Sequence, residues 1–373
     1  MVEGEAASAT SAVQDRPLVR LAVLDVGQGD AIVASIPDDR EAVVIDCGDA
    51  ETVLAYLQAE GIERVRGLIL THLHADHYRG AANFLTGCEE ELGIPCERLS
   101  VLWPMTKSKR ARELLAQGGS PLGDDDAHAM AVGAPERETA LRGLETWRML
   151  NRGRVAGLAW GPGIVNGSLA QGRIGRALQL LHPVEADVPL LLAAGLNNLS
   201  GIIKVHGSGS SALLTGDLEP RGWTRLRENL PHMGVLEQEL RCDVLKFPHH
   251  GAWIGADPDE LLNIVDPNTI IISVGSDGAR YGHPNDRVFA AIRQRSGTRL
   301  LCTQATKQCG AVDIHTSAAV RAILPHSTRM QGGCPCAGSV IIDLGERPAV
   351  TPRPHLHVDK IIRVHYPRHA CAV

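Results

Sequence analysis

Aromatic side chains are scarce in this chain: Phe, Tyr and Trp together make up 3% of its residues. That scarcity excludes an extended stacking platform of the kind that grips single-stranded nucleic acid by its bases, so recognition is expected to lean on backbone, charge or a bound ion. Long apolar runs are missing as well. The longest, at residues 188–194, falls far short of the roughly 20 residues that a membrane-crossing helix needs, and no membrane insertion is expected. Positive charge is not in excess: 37 Lys and Arg against 43 Asp and Glu leave a formal net charge of -6. This excludes a globally basic coat for nucleic acid but not a local basic groove. The first 17 residues hold neither a basic leader nor the apolar core of a signal peptide, and they are expected to form a disordered tail. Nine cysteines, an odd number, fit a reducing compartment better than a disulfide framework. A cytoplasmic location is therefore expected, with the cysteines as thiols or metal ligands.

What the sequence does contain is a large apolar fraction, 44% of 373 residues, enough for one large domain with insertions. Apolar runs at 18–26 and 31–36, broken by Gly27-Gln28-Gly29-Asp30, predict a hairpin. A strand at 42–46, a helix at 51–60 stopped by Gly61, and a buried strand at 67–71 follow. Beyond a loosely patterned stretch at about 88–172, strands return at 177–181, 201–206, 212–215, 242–247 and 269–274, with helices after Pro220, Pro258 and Pro284. Two strand-rich halves, each with helices, predict an α/β (α+β) sandwich covered on both faces. The expected division is a tail at 1–17, a domain at 18–345 carrying the insertion, and a C-terminal extension at 346–373.

The strand at 67–71 delivers His72-Leu73-His74-Ala75-Asp76-His77 at its carboxyl end, where α/β sheets usually place their chemistry. His72 and His74, two apart, point to one side; Asp76 and His77 follow after the chain turns. Four such ligands within six residues suit zinc, manganese or iron, and packing requires no such density. Further ligands are expected at strand ends in the second half: Asp217 closes Leu213-Leu214-Thr215-Gly216-Asp217, and His249-His250-Gly251 follows Pro248. Of the two imidazoles there, His249 is preferred as a ligand and His250 as a group acting on substrate.

The segments Leu24-Asp25-Val26-Gly27-Gln28-Gly29-Asp30-Ala31, Val44-Ile45-Asp46-Cys47-Gly48, the histidine cluster, Asn197-Asn198-Leu199-Ser200, Leu214-Thr215-Gly216-Asp217, Pro248-His249-His250-Gly251 and Tyr281-Gly282-His283-Pro284 occur in an order that resembles the metallo-β-lactamase superfamily. The branch resembled is the soluble hydrolase domain of ComEC-type competence proteins, the DNA-uptake channels of competent bacteria. The resemblance runs from about residue 18 to 300 and implies a four-layer αββα sandwich. It further implies two divalent cations, zinc or manganese, with His72 and His74 on the first, Asp76, His77 and His249 on the second, and Asp217 between them. Asp46 is then the carboxylate that orients the histidine loop. Asn197 and Asn198 stand where many superfamily members place another histidine, with Asn198 as the ligand candidate and Asn197 behind it. The membrane-spanning channel of ComEC has no counterpart here, so transport is not implied.

The chemistry expected of such a site is hydrolysis by a metal-bridged hydroxide, with Asp76 and Asp217 at the reacting centre and His250 or His283 hydrogen-bonding a substrate oxygen. The leading expectation is a phosphodiesterase or nuclease, with nucleic acid or another phosphodiester as substrate and partner proteins unspecified. The alternatives are hydrolysis of a lactone, thioester or β-lactam, and a non-catalytic metal-binding module of a larger assembly. Lys107, Lys109, Arg110, Arg112 and Lys246 are candidates for a basic groove. Cys302, Cys309, Cys334 and Cys336 are candidates for a structural zinc, although buried thiols fit their spacing at least as well. Ser200 is expected to brace its loop.

Overall fold

The computed structural model describes residues 17–72, 74–94, 100–102, 156–158, 172–187, 190–191, 194–275, 282–304, 306, 308 and 337–353. Within them, β1 (Val19–Val23), β2 (Ala31–Ile36), β3 (Glu41–Cys47), β4 (Arg64–Ile69), β5 (Ser100–Leu102), β6 (Ala156–Leu158), β13 (Ser339–Leu344) and β14 (Pro348–Arg353) form an eight-stranded sheet in the order β14-β13-β1-β2-β3-β4-β5-β6. The second sheet has six strands in the order β12-β11-β10-β9-β8-β7. These are β7 (Leu178–His182), β8 (Ile202–His206), β9 (Ser211–Leu214), β10 (Val244–Lys246), β11 (Thr269–Ile272) and β12 (Arg299–Cys302). Each sheet joins an antiparallel half to a parallel one: β2 to β3 is antiparallel and β3 to β4 parallel, while β8 to β9 is antiparallel and β9 to β10 parallel.

Period-2 alternation sorts the side chains between layers. Val43 and Ile45 of β3 face Ile203, Leu214 and Ile271 of the other sheet, whereas Val44 turns outward. On that outer side lie α1 (Ala50–Ala59) and α3 (Ala81–Glu90), contributing Val53, Leu54, Leu57, Phe84 and Leu85, while α4 (Gly172–Ala177) adds Ile174 and Ala177 to the core between the sheets. Helix α1 starts where the Asp49 carboxylate accepts the Thr52 N–H at 3.0 Å, a standard N-cap. The other outer face is covered by α5 (Pro220–Asn229), α6 (Pro258–Val265) and α7 (Asp286–Gln294), which bury Trp223, Leu226, Leu261, Leu262, Val265, Val288 and Ile292. Full burial of each such side chain contributes about 1.5–3 kcal/mol, so both helical layers are held mainly by these stripes. The result is mixed α/β with two multi-strand sheets, consistent with the metallo-β-lactamase fold. Among the described residues no helix is long and apolar enough to cross a membrane.

Two features depart from the sequence expectation. Inside the stretch at 88–172, β5 pairs in parallel with β4 and β6 in parallel with β5, widening the first sheet. Residues 348–353, expected to begin a loose extension, instead form β14 against β13. Pro348 and Pro352 obscure that strand in the sequence, because proline lacks the N–H of a ladder donor and is tolerated only at a sheet edge, where β14 sits. The basic group at Lys107, Lys109, Arg110 and Arg112, the cysteines Cys309, Cys334 and Cys336, and the tail at 1–16 lie outside the described residues. Cys302 is a buried member of the helix-side core of the second sheet.

Candidate metal centre

The site forms where both sheets present the same end. Asp46 is the next-to-last residue of β3, and β4 runs into His72, His74 and the one-turn helix α2 (Ala75–Tyr78) that carries Asp76 and His77. From the second sheet, β9 leads into Asp217 and β10 into His249 and His250. The backbone around these residues is unusual. Asp46, His249 and His250 adopt left-handed conformations with φ of 57°, 49° and 50°, three of the five non-glycine residues that do so among those described. Such geometry costs of order 1–3 kcal/mol per residue and concentrates at functional sites.

Asp76, His77, Asp217 and His250 offer ligand atoms that all lie within 4.8 Å of one another. His77 Nε2 is 3.3 Å from Asp217 Oδ1, and His250 Nε2 is 3.4 Å from both Asp76 Oδ2 and Asp217 Oδ2. Supporting bonds fix which ring nitrogen faces the cluster. His77 Nδ1–H donates to Asp46 Oδ2 at 2.7 Å, leaving Nε2 inward; His250 Nδ1–H donates to the Ser273 carbonyl at 2.7 Å with the same consequence. Asp46 is itself held by the Thr71 N–H at 2.7 Å and the Thr71 hydroxyl at 2.6 Å. Beside this group, His72 Nε2 lies 3.1 Å from His74 Nδ1 and 3.9 Å from Asp217 Oδ2.

At the floor of the site is a buried ammonium. Lys246, 1% exposed, ion-pairs with Asp30, donates to the Gly216 carbonyl at 2.9 Å and sits 3.7 Å from Asp217 Oδ1. Burial would strip its proton, but Asp30 and Asp217 outweigh that and raise its pKa. A second close group of Asp30, Asp46 and His77 is therefore served by an internal cation.

The electrostatics of the cluster are one-sided. Burial works against ionising Asp76 and Asp217, yet His77 and His250 prevail and hold both carboxyls below the usual range. Burial likewise opposes protonated imidazoles, but Asp217 and its neighbouring carboxylates raise His77 well above its ordinary value and lift His250 to about 10. His72 moves the other way, lowered by burial and then by His77 and His74. At the rim, burial and the nearby His250 lower His283 to about 4; His249 is also lowered, first by burial.

These positions separate the expected site residues. The paired histidines divide in favour of His250 as the residue inside the close group, while His249 Nε2 is 3.9 Å from Asp217 Oδ2 and shares the rim with His283, ring centroids 5.6 Å apart. Left-handed backbone at both residues turns the chain so that the second ring faces inward, which residue types alone do not reveal. Asn198 does not present a free ligand atom: its Oδ1 accepts the Gly222 N–H at 2.8 Å, and its Nδ2 donates to Ala194 O and Glu219 Oε2. The physical reason is its position before α5, whose open N–H groups need an acceptor. Asn197 donates to Glu219 Oε1 at 3.1 Å and keeps a buried carbonyl oxygen without a hydrogen-bond partner. Ser200 braces its loop, with Oγ accepting the Asp217 N–H at 3.0 Å. Sequence reasoning assigned no role to Asp30, Glu219 or Ser273. Asp30, a charge just before a wholly buried strand, was the one with a readable signal.

A family profile described as the metallo-β-lactamase superfamily matches residues 24–92, the stretch that runs from the turn before β2 through the histidine loop to the end of α3. The two facing sheets and the cluster at their shared end agree with that match: the class defined here is a domain of the metallo-β-lactamase fold. More particularly, it is similar to ComE operon protein 3 of Bacillus subtilis (strain 168), 26% identical over 304 residues. That match covers 75% of this chain and 31% of the relative, so the chain spans about a third of that protein's length. A shorter match, 41% identical over 56 residues, is to the hydroxyacylglutathione hydrolase of Dechloromonas aromatica (strain RCB), covering 15% of this chain and 21% of that one. Among solved structures, the short form of human tRNase Z covers 67% of this chain and 91% of its own at 12% identity and a TM-score of 0.32. The BLEG-1 B3 metallo-β-lactamase covers 53% and 71% at 18% identity and a TM-score of 0.27.

Proposed function

We propose that this domain is a metal-dependent phosphodiesterase, with DNA as its substrate class. The observation that carries the reading is the close group of Asp76, His77, Asp217 and His250. Three of its inward atoms, His77 Nε2, Asp217 Oδ1 and His250 Nε2, are buried without a hydrogen-bond partner. Buried polar atoms are rarely left orphaned, and an imidazole and carboxylate set of this kind fits zinc or manganese. Asp76, His77, Asp217 and His250 would hold one cation, and His72 and His74 with a shared Asp217 a second. When bound, such a pair supplies a water of lowered pKa and offsets negative charge that develops on the substrate.

The chain's own residues do the rest. Asp46 and Ser273 fix the ring faces of His77 and His250, so that neither imidazole must reorganise during turnover. Lys246 balances one carboxylate from below without occupying the open side. His249 and His283, neutral at physiological pH, line the rim and can each donate an N–H to a non-bridging oxygen of an anionic substrate. That polar rim favours a phosphodiester over a lactone, thioester or β-lactam, and the resemblance of the sequence motifs to ComEC-type DNA-uptake proteins favours DNA among phosphodiesters.

The test is a substrate panel on the protein loaded with manganese or zinc: single- and double-stranded DNA, RNA and bis-p-nitrophenyl phosphate beside a lactone, a thioester and a β-lactam. Cleavage of DNA that is lost in Asp217→Ala and in chelator is expected. Turnover confined to the carbonyl compounds, or cation binding with no turnover of any substrate, overturns the proposal.

A further inference from the structure

The two segments that carry the rim histidines diverge beyond the site and leave a groove between them. The chain leaving His249 and His250 supplies residues 255–259, up to the first turn of α6, and the chain leaving His283 supplies one face of α7, from Arg287 through Ala290 to Gln294. Beside the rim the two are tied. The Asn285 N–H donates to the Gly251 carbonyl at 2.8 Å, and a Cβ on Gly251 would stand 2.5 Å from Pro284. The groove has a volume of about 610 Å3, within the roughly 300–1,000 Å3 of ligand sites. Arg287 is exposed, and among the described residues its guanidinium has no ion pair or hydrogen bond. The other arginines of that segment are occupied: Arg293 lies over the Phe289 ring and Arg295 pairs with Asp266. On the facing wall, Asp257 gives one oxygen to the Asp259 N–H at 3.0 Å, and neither carboxylate pairs with Arg287. Small apolar side chains, Ala256 and Ala290 among them, lie between, and Ile254 next along the chain is 70% exposed.

Resting on the phosphodiesterase reading above, we propose that this groove holds one nucleotide of the substrate strand, the neighbour of the phosphodiester that is cleaved. Arg287 takes its phosphate through the paired N–H groups of the guanidinium. The base lies on Ala256 and Ala290, and its exocyclic amine donates to Asp257 or Asp259, as a carboxylate accepts from the amine of cytosine. Charge sets this orientation, because a phosphate against the two aspartates would be repelled, whereas an amine edge is not. The chain has few aromatic rings on which to stack a base, and small aliphatic side chains cover it here instead. Binding so far from the reacting atoms is the same in ground and transition states, so it lowers KM and leaves kcat alone. The substrate is then a chain of nucleotides rather than a small phosphodiester.

The experiment uses the full chain loaded with Mn2+ and compares a single-stranded oligodeoxynucleotide with bis-p-nitrophenyl phosphate, which has no neighbouring nucleotide to place in the groove. Arg287→Ala should raise KM for the oligonucleotide about tenfold, the effect of one lost charge-assisted contact, with kcat little changed. KM for bis-p-nitrophenyl phosphate should move by less than about twofold. The salt dependence of the oligonucleotide KM should weaken by about 0.7 in log–log slope, one single-strand phosphate. Arg287→Lys should recover most of the loss, and Ala290→Trp, filling the groove, should reproduce it with native circular dichroism. Oligothymidine, which lacks an exocyclic amine, should show a KM about fivefold above that of oligocytidine. An oligonucleotide KM unmoved in Arg287→Ala, a joint fall of kcat on both substrates, equal KM for the two homopolymers, or a parent that cleaves only bis-p-nitrophenyl phosphate overturns the inference while the phosphodiesterase reading stands. A parent that cleaves neither substrate overturns both.

Discussion

Replacing Asp46 by Asn isolates the support of one ligand from the ligand itself. Asp46 accepts three bonds at 2.6–2.7 Å, from the Thr71 N–H, the Thr71 hydroxyl and His77 Nδ1–H. Its φ of 57° is one that Asn adopts as readily as Asp, so the substitution adds no backbone strain. An amide has one acceptor and one donor end, however, and both N–H partners here need an acceptor. If the NH2 faces Oδ2's place it opposes His77 Nδ1–H; if it faces Oδ1's place it opposes the Thr71 N–H. One charge-assisted bond, about 1.5–3 kcal/mol, is therefore lost in either orientation. Expressed through the orientation of His77, such losses typically weaken a metal site by about 10–100-fold. Calorimetric titration of stripped Asp46→Asn with Zn2+ or Mn2+ should show that weakening, with native circular dichroism retained. Affinity within about twofold of the parent would refute the claim that Asp46 sets the His77 ring.

Three other outcomes are expected. Gly29→Ala should destabilise the fold by about 2–3 kcal/mol in chemical denaturation, because φ is 125° there and a Cβ would stand 2.3 Å from the Asp76 carbonyl. Lys246→Met should cost about 3–5 kcal/mol by stranding buried Asp30. Adding Asp30→Asn should recover part of that loss, and a double-mutant cycle showing strict additivity would count against the pair. Cation affinity should rise with pH through neutrality. With His250 lifted to about 10 and His77 also raised, protons compete with the cation for both imidazoles in the ion-free site, and binding must expel them. Titrations in buffers of differing ionisation enthalpy should report the release, and a pH-independent affinity would contradict it.

Much of this architecture was legible in the residues, for a definable reason. Strands β1 to β4 and β7 to β11 carry apolar runs punctuated by glycine or by turns, and the histidine loop sits in one contiguous stretch, so local pattern suffices. Edge strand β14 was not legible, since its prolines argue against a strand unless the sheet edge is known. The division of labour between His249 and His250 was hidden as well, because it depends on three successive positive φ values through Gly251. Asn198 has the chemistry of a ligand in isolation; only the nearby start of α5 shows where its oxygen goes. Glu219, which ties both asparagines together, precedes Pro220 as an ordinary helix-start carboxylate would.

The close group takes Asp76 and His77 from one sheet and Asp217 and His250 from the other. An ion gripped by both would work as a rivet through the seam, because the halves could part there only by letting it go. Occupancy and cohesion are thereby tied: whatever draws the ion out also loosens the joint, and whatever pries the joint apart sets the ion free.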